Sequence, residues 1–138
     1  IRQRLALLEE LKNFLKYPKH KVWIDKVAEL LMENAPLERA ILTLGNSTYT
    51  FEALSLSLYV FLSRIYEPME AFWTAINSYG KFGGDTDSIG YLVGAYVGAY
   101  WGVEVFPPEL LENLENCNYY ISLAQKLYEI VEEKLGGS

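Results

Sequence analysis

Four glycines, Gly90, Gly94, Gly98 and Gly102, recur at intervals of four inside a run from Ser88 to Val103 that carries no charged side chain. That interval places them on one face of an α-helix, with Ala95 and Ala99 beside them. A glycine inside a helix costs about 1 kcal/mol relative to alanine, so stability alone would select against the pattern. It suits a helix that another backbone approaches closely. The run is too short for the roughly 20 residues a bilayer requires, and Asp85 and Asp87 stand directly at its start. A tightly packed interior helix is the expectation, with no membrane partner.

The rest of the chain has the same period. Leu5, Leu8, Leu11 and Leu15 recur at threes and fours over residues 1–16, and Pro18 is expected to end that helix. Val22, Val27, Leu30 and Leu31 repeat the pattern over 21–34, and about 36–44 reads as a short helix with Pro36 in its first turn, closed by Gly45. Residues 51–65 are apolar nearly all round, which predicts burial on every side and the centre of a bundle. Pro68 opens a helix to about Tyr79, Pro107-Pro108 a short one, and 117–135 a last one striped by Tyr120, Leu123, Leu127, Ile130 and Val131. No stretch alternates with period two for long enough to predict a strand. The fold class is all-α, ending on a flexible Gly136-Gly137-Ser138.

Composition removes several function classes. With 51% hydrophobic residues the chain is not disordered. Twelve Lys plus Arg against eighteen Asp plus Glu give a net charge of −6, the wrong sign for a nucleic-acid binder. Residues 1–40 carry +2 and the remainder −8, so a cation would be drawn to the second part. The lone Cys117 cannot form an internal disulfide, and Ile1-Arg2-Gln3-Arg4 does not open a signal peptide. A cytoplasmic protein is expected. His20, the one histidine, reads as a solvated residue of a basic turn.

The chemistry gathers ahead of the glycine-rich helix. Seven of the ten glycines lie in residues 80–102. Gly83 and Gly84 free the backbone to turn sharply before Asp85, Asp87 and Ser88, three oxygen donors within four residues. Two adjacent carboxylates repel unless a cation or proton lies between them. Oxygen donors without His or Cys suit Mg²⁺, Mn²⁺ or Ca²⁺ rather than zinc. The same carboxylates could instead do no more than cap the helix.

The string Gly83-Gly84-Asp85-Thr86-Asp87-Ser88-Ile89-Gly90, continuing through Gly94-Ala95 and Gly98-Ala99-Tyr100 to Gly102, resembles the GGDTDT…GA…GA(Y/L)YG pattern of the ADP-ribosylglycohydrolase family. Leu44-Gly45-Asn46-Ser47-Thr48-Tyr49-Thr50-Phe51-Glu52-Ala53-Leu54, followed by Leu58-Tyr59 and Phe61-Leu62, is similar to that family's substrate loop and the helix after it. The resemblance implies an orthogonal helical bundle and a magnesium-dependent hydrolase with two metal ions, Mn²⁺ being a possible substitute. Such an enzyme cleaves the bond between ribose C1″ of ADP-ribose and an acceptor such as a protein side chain. By the same resemblance Asp85, Asp87 and Ser88 are metal ligands, Ser88 keeping the hydroxyl of the usual Thr without its methyl. Ser47, Tyr49, Gly83 and Gly84 face the ADP-ribose, with Tyr49 a stacking partner. The partner is an ADP-ribosylated protein or a small ADP-ribose conjugate.

The family's other ligand motifs, of the GDxxG and TDD(T/S) kinds, do not occur in this chain. Together with the start on Ile1, this reads as residues 1–138 forming the C-terminal half of a single domain, completed by a missing N-terminal half or a second chain, with a truncated relative as the remaining alternative. Such a chain is expected to be inactive alone and to expose apolar surface along the glycine face or along 51–65. No residue reads as a convincing general base, and Glu52 reads first as a helix-start acid. Two other classes stay open: an inactive structural or ligand-binding relative of the same fold, and a helical interaction module in which the aspartates only cap.

Overall fold

The computed structural model describes residues 1–79 and 83–135. The loop residues 80–82 and the tail 136–138 lie outside them. The chain divides into two units, residues 1–105 and 106–138. The first holds α1 (Arg2–Phe14), α2 (Pro18–Met32), α3 (Leu37–Leu44), α4 (Thr50–Ser63), α5 (Pro68–Ile76) and α6 (Thr86–Trp101), closed by a 3₁₀ turn, Val103–Val105. The second holds α7 (Pro108–Glu112) and α8 (Cys117–Leu135). No strand occurs among the described residues, and the all-α expectation holds.

The boundaries follow from local chemistry. Helix α1 ends at Phe14, where Leu15 turns extended, and Pro18 opens α2 instead of merely stopping its predecessor. A proline at the first helical position loses no hydrogen bond, because that N–H has no partner in the helix anyway. The second helix therefore starts earlier than its apolar stripe. Pro36 falls one place outside α3 as its N-cap. Gly45 and Gly102, with φ of +76° and +87°, end α3 and α6 in the left-handed region that favours glycine.

Helix α4 is the centre of the first unit, as its all-round apolar sequence predicts. Leu56, Val60 and Leu62 have no exposed surface, and Tyr59 retains 2%. Burying each of these aliphatic side chains contributes roughly 1.5–3 kcal/mol. The Tyr59 hydroxyl donates to the carbonyl of Ala35, and the Ser57 hydroxyl to that of Leu54 at 2.8 Å, so polarity at the core is satisfied.

Helix α6 packs on α5 and α4. A Cβ at Gly90 would lie 2.6 Å from Ile76 Cγ2, and one at Gly94 would lie 3.5 Å from the Phe72 ring. The close approach predicted for the glycine face thus occurs at Gly90 only, and a side chain of α5, not its backbone, is what approaches. The expectation of exposed apolar surface is corrected along 51–65, where α4 is buried from Ser55 to Leu62; along the glycines only Gly90 is buried, while Gly94, Gly98 and Gly102 are half-buried and Ala95 and Ala99 beside them are exposed. Exposed apolar groups also lie at Tyr91, Tyr100 and Trp101, and along α8, which has no buried residue. Among the described residues no helix is long and apolar enough to cross a membrane.

Candidate functional site

The start of α6 is built by its own sequence. Gly83 takes φ +87°, a conformation that disfavours side chains, and aims the chain into the helix. Asp85 is the N-cap, its Oδ1 accepting from the Ser88 N–H at 3.4 Å. Asp87 follows in the first turn. Asp85 is half-buried, while Asp87 and Ser88 are exposed. The Asp85 carboxyl titrates below its ordinary value, first because the Asp87 side chain is its hydrogen-bond partner, then because the Ser88 hydroxyl and amide donate to it. Asp85 is therefore the cap, with Asp87 two residues on in the first turn.

The second wall is the loop ahead of α4. The Asn46 carbonyl accepts from the Asp85 N–H at 2.7 Å. Asn46 Nδ2 donates to the carbonyls of Ser78 at 3.0 Å and Gly83 at 2.9 Å. The Ser47 N–H donates to Glu52 Oε2 at 3.1 Å, and the Tyr49 N–H to Ser47 Oγ at 3.2 Å. A Cβ at Gly45 would lie 2.2 Å from Glu52 Oε2. Glu52 is thus a helix-start acid that reaches back and ties down the loop.

Between the walls lies a cleft of about 580 Å³ lined by Asn46, Ser47, Thr48, Gly83, Gly84, Asp85 and Asp87. A neighbouring one of about 490 Å³ runs between the first turns of α4 and α6, lined by Thr48, Thr50, Ala53, Leu54, Asp87, Ser88, Tyr91 and Leu92. Thr48 and Asp87 border both. Ser47, Gly83, Gly84, Asp85 and Asp87 therefore meet at one cleft and Ser88 at its neighbour, although the two stretches are some forty residues apart in sequence.

Tyr49 stands elsewhere, lining neither cleft. Its ring meets Phe51 edge-on at 5.0 Å, and its hydroxyl accepts from Lys19 Nζ at 3.5 Å. His20 belongs to the same group, 4.8 Å from the Phe51 ring and 5.3 Å from that of Tyr17, so it is a half-buried member of an aromatic cluster, not a solvated turn residue.

Oxygen donors of this kind, two carboxylates on one cleft and the Ser88 hydroxyl at its neighbour, are the chemistry that hard divalent cations take. Among the described residues no group of three or more His, Cys, Asp or Glu side chains converges. Asn46 and Thr48 escaped the sequence reading as site residues. The carbonyls that Asn46 engages lie 32 and 37 positions away, and nothing local to the asparagine announces them.

Residues 2–135 match the sequence model of the ADP-ribosylglycohydrolase family. The chain is 32% identical over 120 residues to the ADP-ribosylhydrolase ARH3 of Bos taurus, the match covering 81% of this chain and 33% of the relative. It is 33% identical over 118 residues to that of Mus musculus, covering 80% and 32%. To that of Homo sapiens it is 31% identical over 118 residues, covering 80% and 32%. The chain spans about a third of the length of these relatives. No solved structure matches.

Proposed function

The chain belongs to the ADP-ribosylglycohydrolase family, and on that premise we propose that the protein hydrolyses the glycosidic bond between ADP-ribose and an acceptor such as a protein side chain. One observation carries the reading: Asp85 and Asp87, at the start of α6, line the same cleft as residues 46–48 of the facing loop.

Asp85, Asp87 and Ser88 would hold Mg²⁺, or Mn²⁺ in its place, as part of a two-ion site whose remaining ligands come from polypeptide beyond these residues or from a second chain. The cation supplies Lewis acidity and a template for sugar hydroxyls and water. The chain's own part is binding and orientation. The Gly83-Gly84 backbone lets a sugar or phosphate approach without side-chain obstruction. Ser47 and Thr48 offer hydroxyls on the opposite wall. Asp87, bordering both clefts, stands where the ADP-ribosyl group and its acceptor would part. An ADP-ribosylated protein or a small ADP-ribose conjugate is the substrate class.

The test is release of ADP-ribose from a modified protein by the protein that carries this chain, with Mg²⁺ present. Asp87→Ala should lower the rate by more than about 100-fold, since even partners behind a metal's ligands are worth about 10–100-fold. Residues 1–138 alone should not turn over. Undiminished release by Asp87→Ala would reject the reading. No release by the intact protein, with ADP-ribose still bound, would favour a ligand-binding relative.

A further inference from the structure

We infer that Asn46 is a positioning residue that locks the 46–48 loop to the Gly83–Ser88 turn and so sets where the Asp85 and Asp87 carboxylates stand. The inference deepens the proposed function and rests on the reading that this turn holds a divalent cation.

Three bonds carry it. Both protons of the Asn46 amide are used, on the carbonyls of Ser78 at 3.0 Å and Gly83 at 2.9 Å. The Asn46 main-chain carbonyl takes the N–H of Asp85 at 2.7 Å. One residue therefore ties the residue two past the end of α5, the entry to the turn and the N-cap of α6, and it does so partly buried, where competing water is reduced. No other side chain type of this size presents two N–H donors on one nitrogen beside an oxygen acceptor.

Gly84 supplies the complementary half. Its Cβ, if present, would lie 2.2 Å from Asn46 Nδ2 and 3.3 Å from the Asn46 carbonyl oxygen. Unlike Gly83 it has no positive φ, so what requires glycine here is space for the Asn46 amide, not backbone conformation. The paired glycines thus do two jobs: the first turns the chain, and the second admits the clamp. Shifting the turn would move Asp85 relative to Asp87, and oxygen ligation by Mg²⁺ tolerates little displacement.

Two readouts on the folded chain test this, with Mn²⁺ alone as the probe. Amide hydrogen exchange follows the clamp without any cation. Asn46→Ala and Gly84→Ala should each speed exchange at Asp85 and Ser88 by about 10-fold or more, leaving the amides of Leu56–Leu62 protected and so showing the fold intact. Mn²⁺ binding, read by electron paramagnetic resonance, should weaken by about 10–100-fold in each variant. The double variant should be no worse than either single one, because both remove the same contact. Unchanged exchange at Asp85 in Asn46→Ala, or losses that simply add in the double variant, would overturn the inference. Should Asn46→Ala fail to fold, Gly84→Ala decides by the same exchange measurement. If the unsubstituted chain binds no Mn²⁺, the cation reading fails, and exchange still decides whether Asn46 positions the turn.

Discussion

Helices α4 and α8 are both rich in leucine and aromatic residues, and they end in opposite environments. Helix α4 is buried continuously from Ser55 to Leu62, whereas every residue of α8 except half-buried Cys117 is exposed. Their sequences differ in pattern more than in content. Apolar groups surround α4 and leave it no polar face to offer water. Helix α8 has a stripe, Tyr120, Leu123, Leu127, Ile130 and Val131, with charged Lys126, Glu129, Glu132 and Glu133 around it. A stripe shows that a helix has a side suited to burial. It does not name the surface that covers it. An all-round pattern needs no such partner identified, because any fold that forms must enclose it.

The largest effect should come from the enclosed helix. Leu56→Ala in α4 is expected to destabilise by about 3 kcal/mol, within the 2–5 kcal/mol seen when a buried leucine leaves a cavity; denaturant unfolding measures it. A loss below about 1 kcal/mol would deny α4 its central place. Next is Gly90→Ala, whose methyl would meet Ile76 Cγ2 at 2.6 Å. Overpacking of this kind costs about 1–3 kcal/mol, set against about 1 kcal/mol of regained helix propensity. A net loss is expected in thermal melts, and a stabilised protein would show that α5 gives way.

A smaller difference appears at alkaline pH. Burial pushes the hydroxyls of Tyr59 and Tyr96 above their ordinary value, opposed by Arg64 for the first and by a hydrogen bond with Ser57 for the second. The unfolded chain ionises these groups near pH 10, while the folded chain keeps them neutral. Their contribution to stability is complete below about pH 10 and is lost as pH rises through the raised folded values. Tyr96→Phe should flatten that alkaline decline. Tyr128→Phe in α8 should alter it less, because the exposed Tyr128 is raised chiefly by its bond to Glu132. Equal responses would erase the contrast between the buried hydroxyls of the first unit and the exposed one of α8. The smallest change belongs to Leu127→Ala, expected within about 0.5 kcal/mol as for other surface positions. A larger loss would mean that α8 is covered in solution.

The same distinction explains what was legible from residues alone. Periodicity located α4 and α6, because it is a statement about one helix's own faces; the four-residue glycine spacing foretold a close approach that occurs at Gly90 alone, since what packs there is set by α5. The carboxylate string was legible because Asp85, Asp87 and Ser88 are neighbours in sequence, and their capping geometry is local. Pro18 misled, since a proline both stops one helix and starts the next, and only the path of the chain decides. The loop was legible in outline only. Ser47 lines the cleft, but Tyr49 turns to Phe51 and Lys19, contacts that depend on how α2 packs against α4. The Asn46 clamp joins residues more than thirty positions apart, and no periodicity encodes it.

Paramagnetic broadening by substoichiometric Mn²⁺ tests most directly whether the aspartates at the start of α6 hold a divalent cation. The amide resonances of Gly84 to Ser88 should vanish first, and Asp87→Asn should restore them. Broadening spread over the acidic residues from Glu104 to Glu133, with Gly84 to Ser88 still sharp, would contradict it.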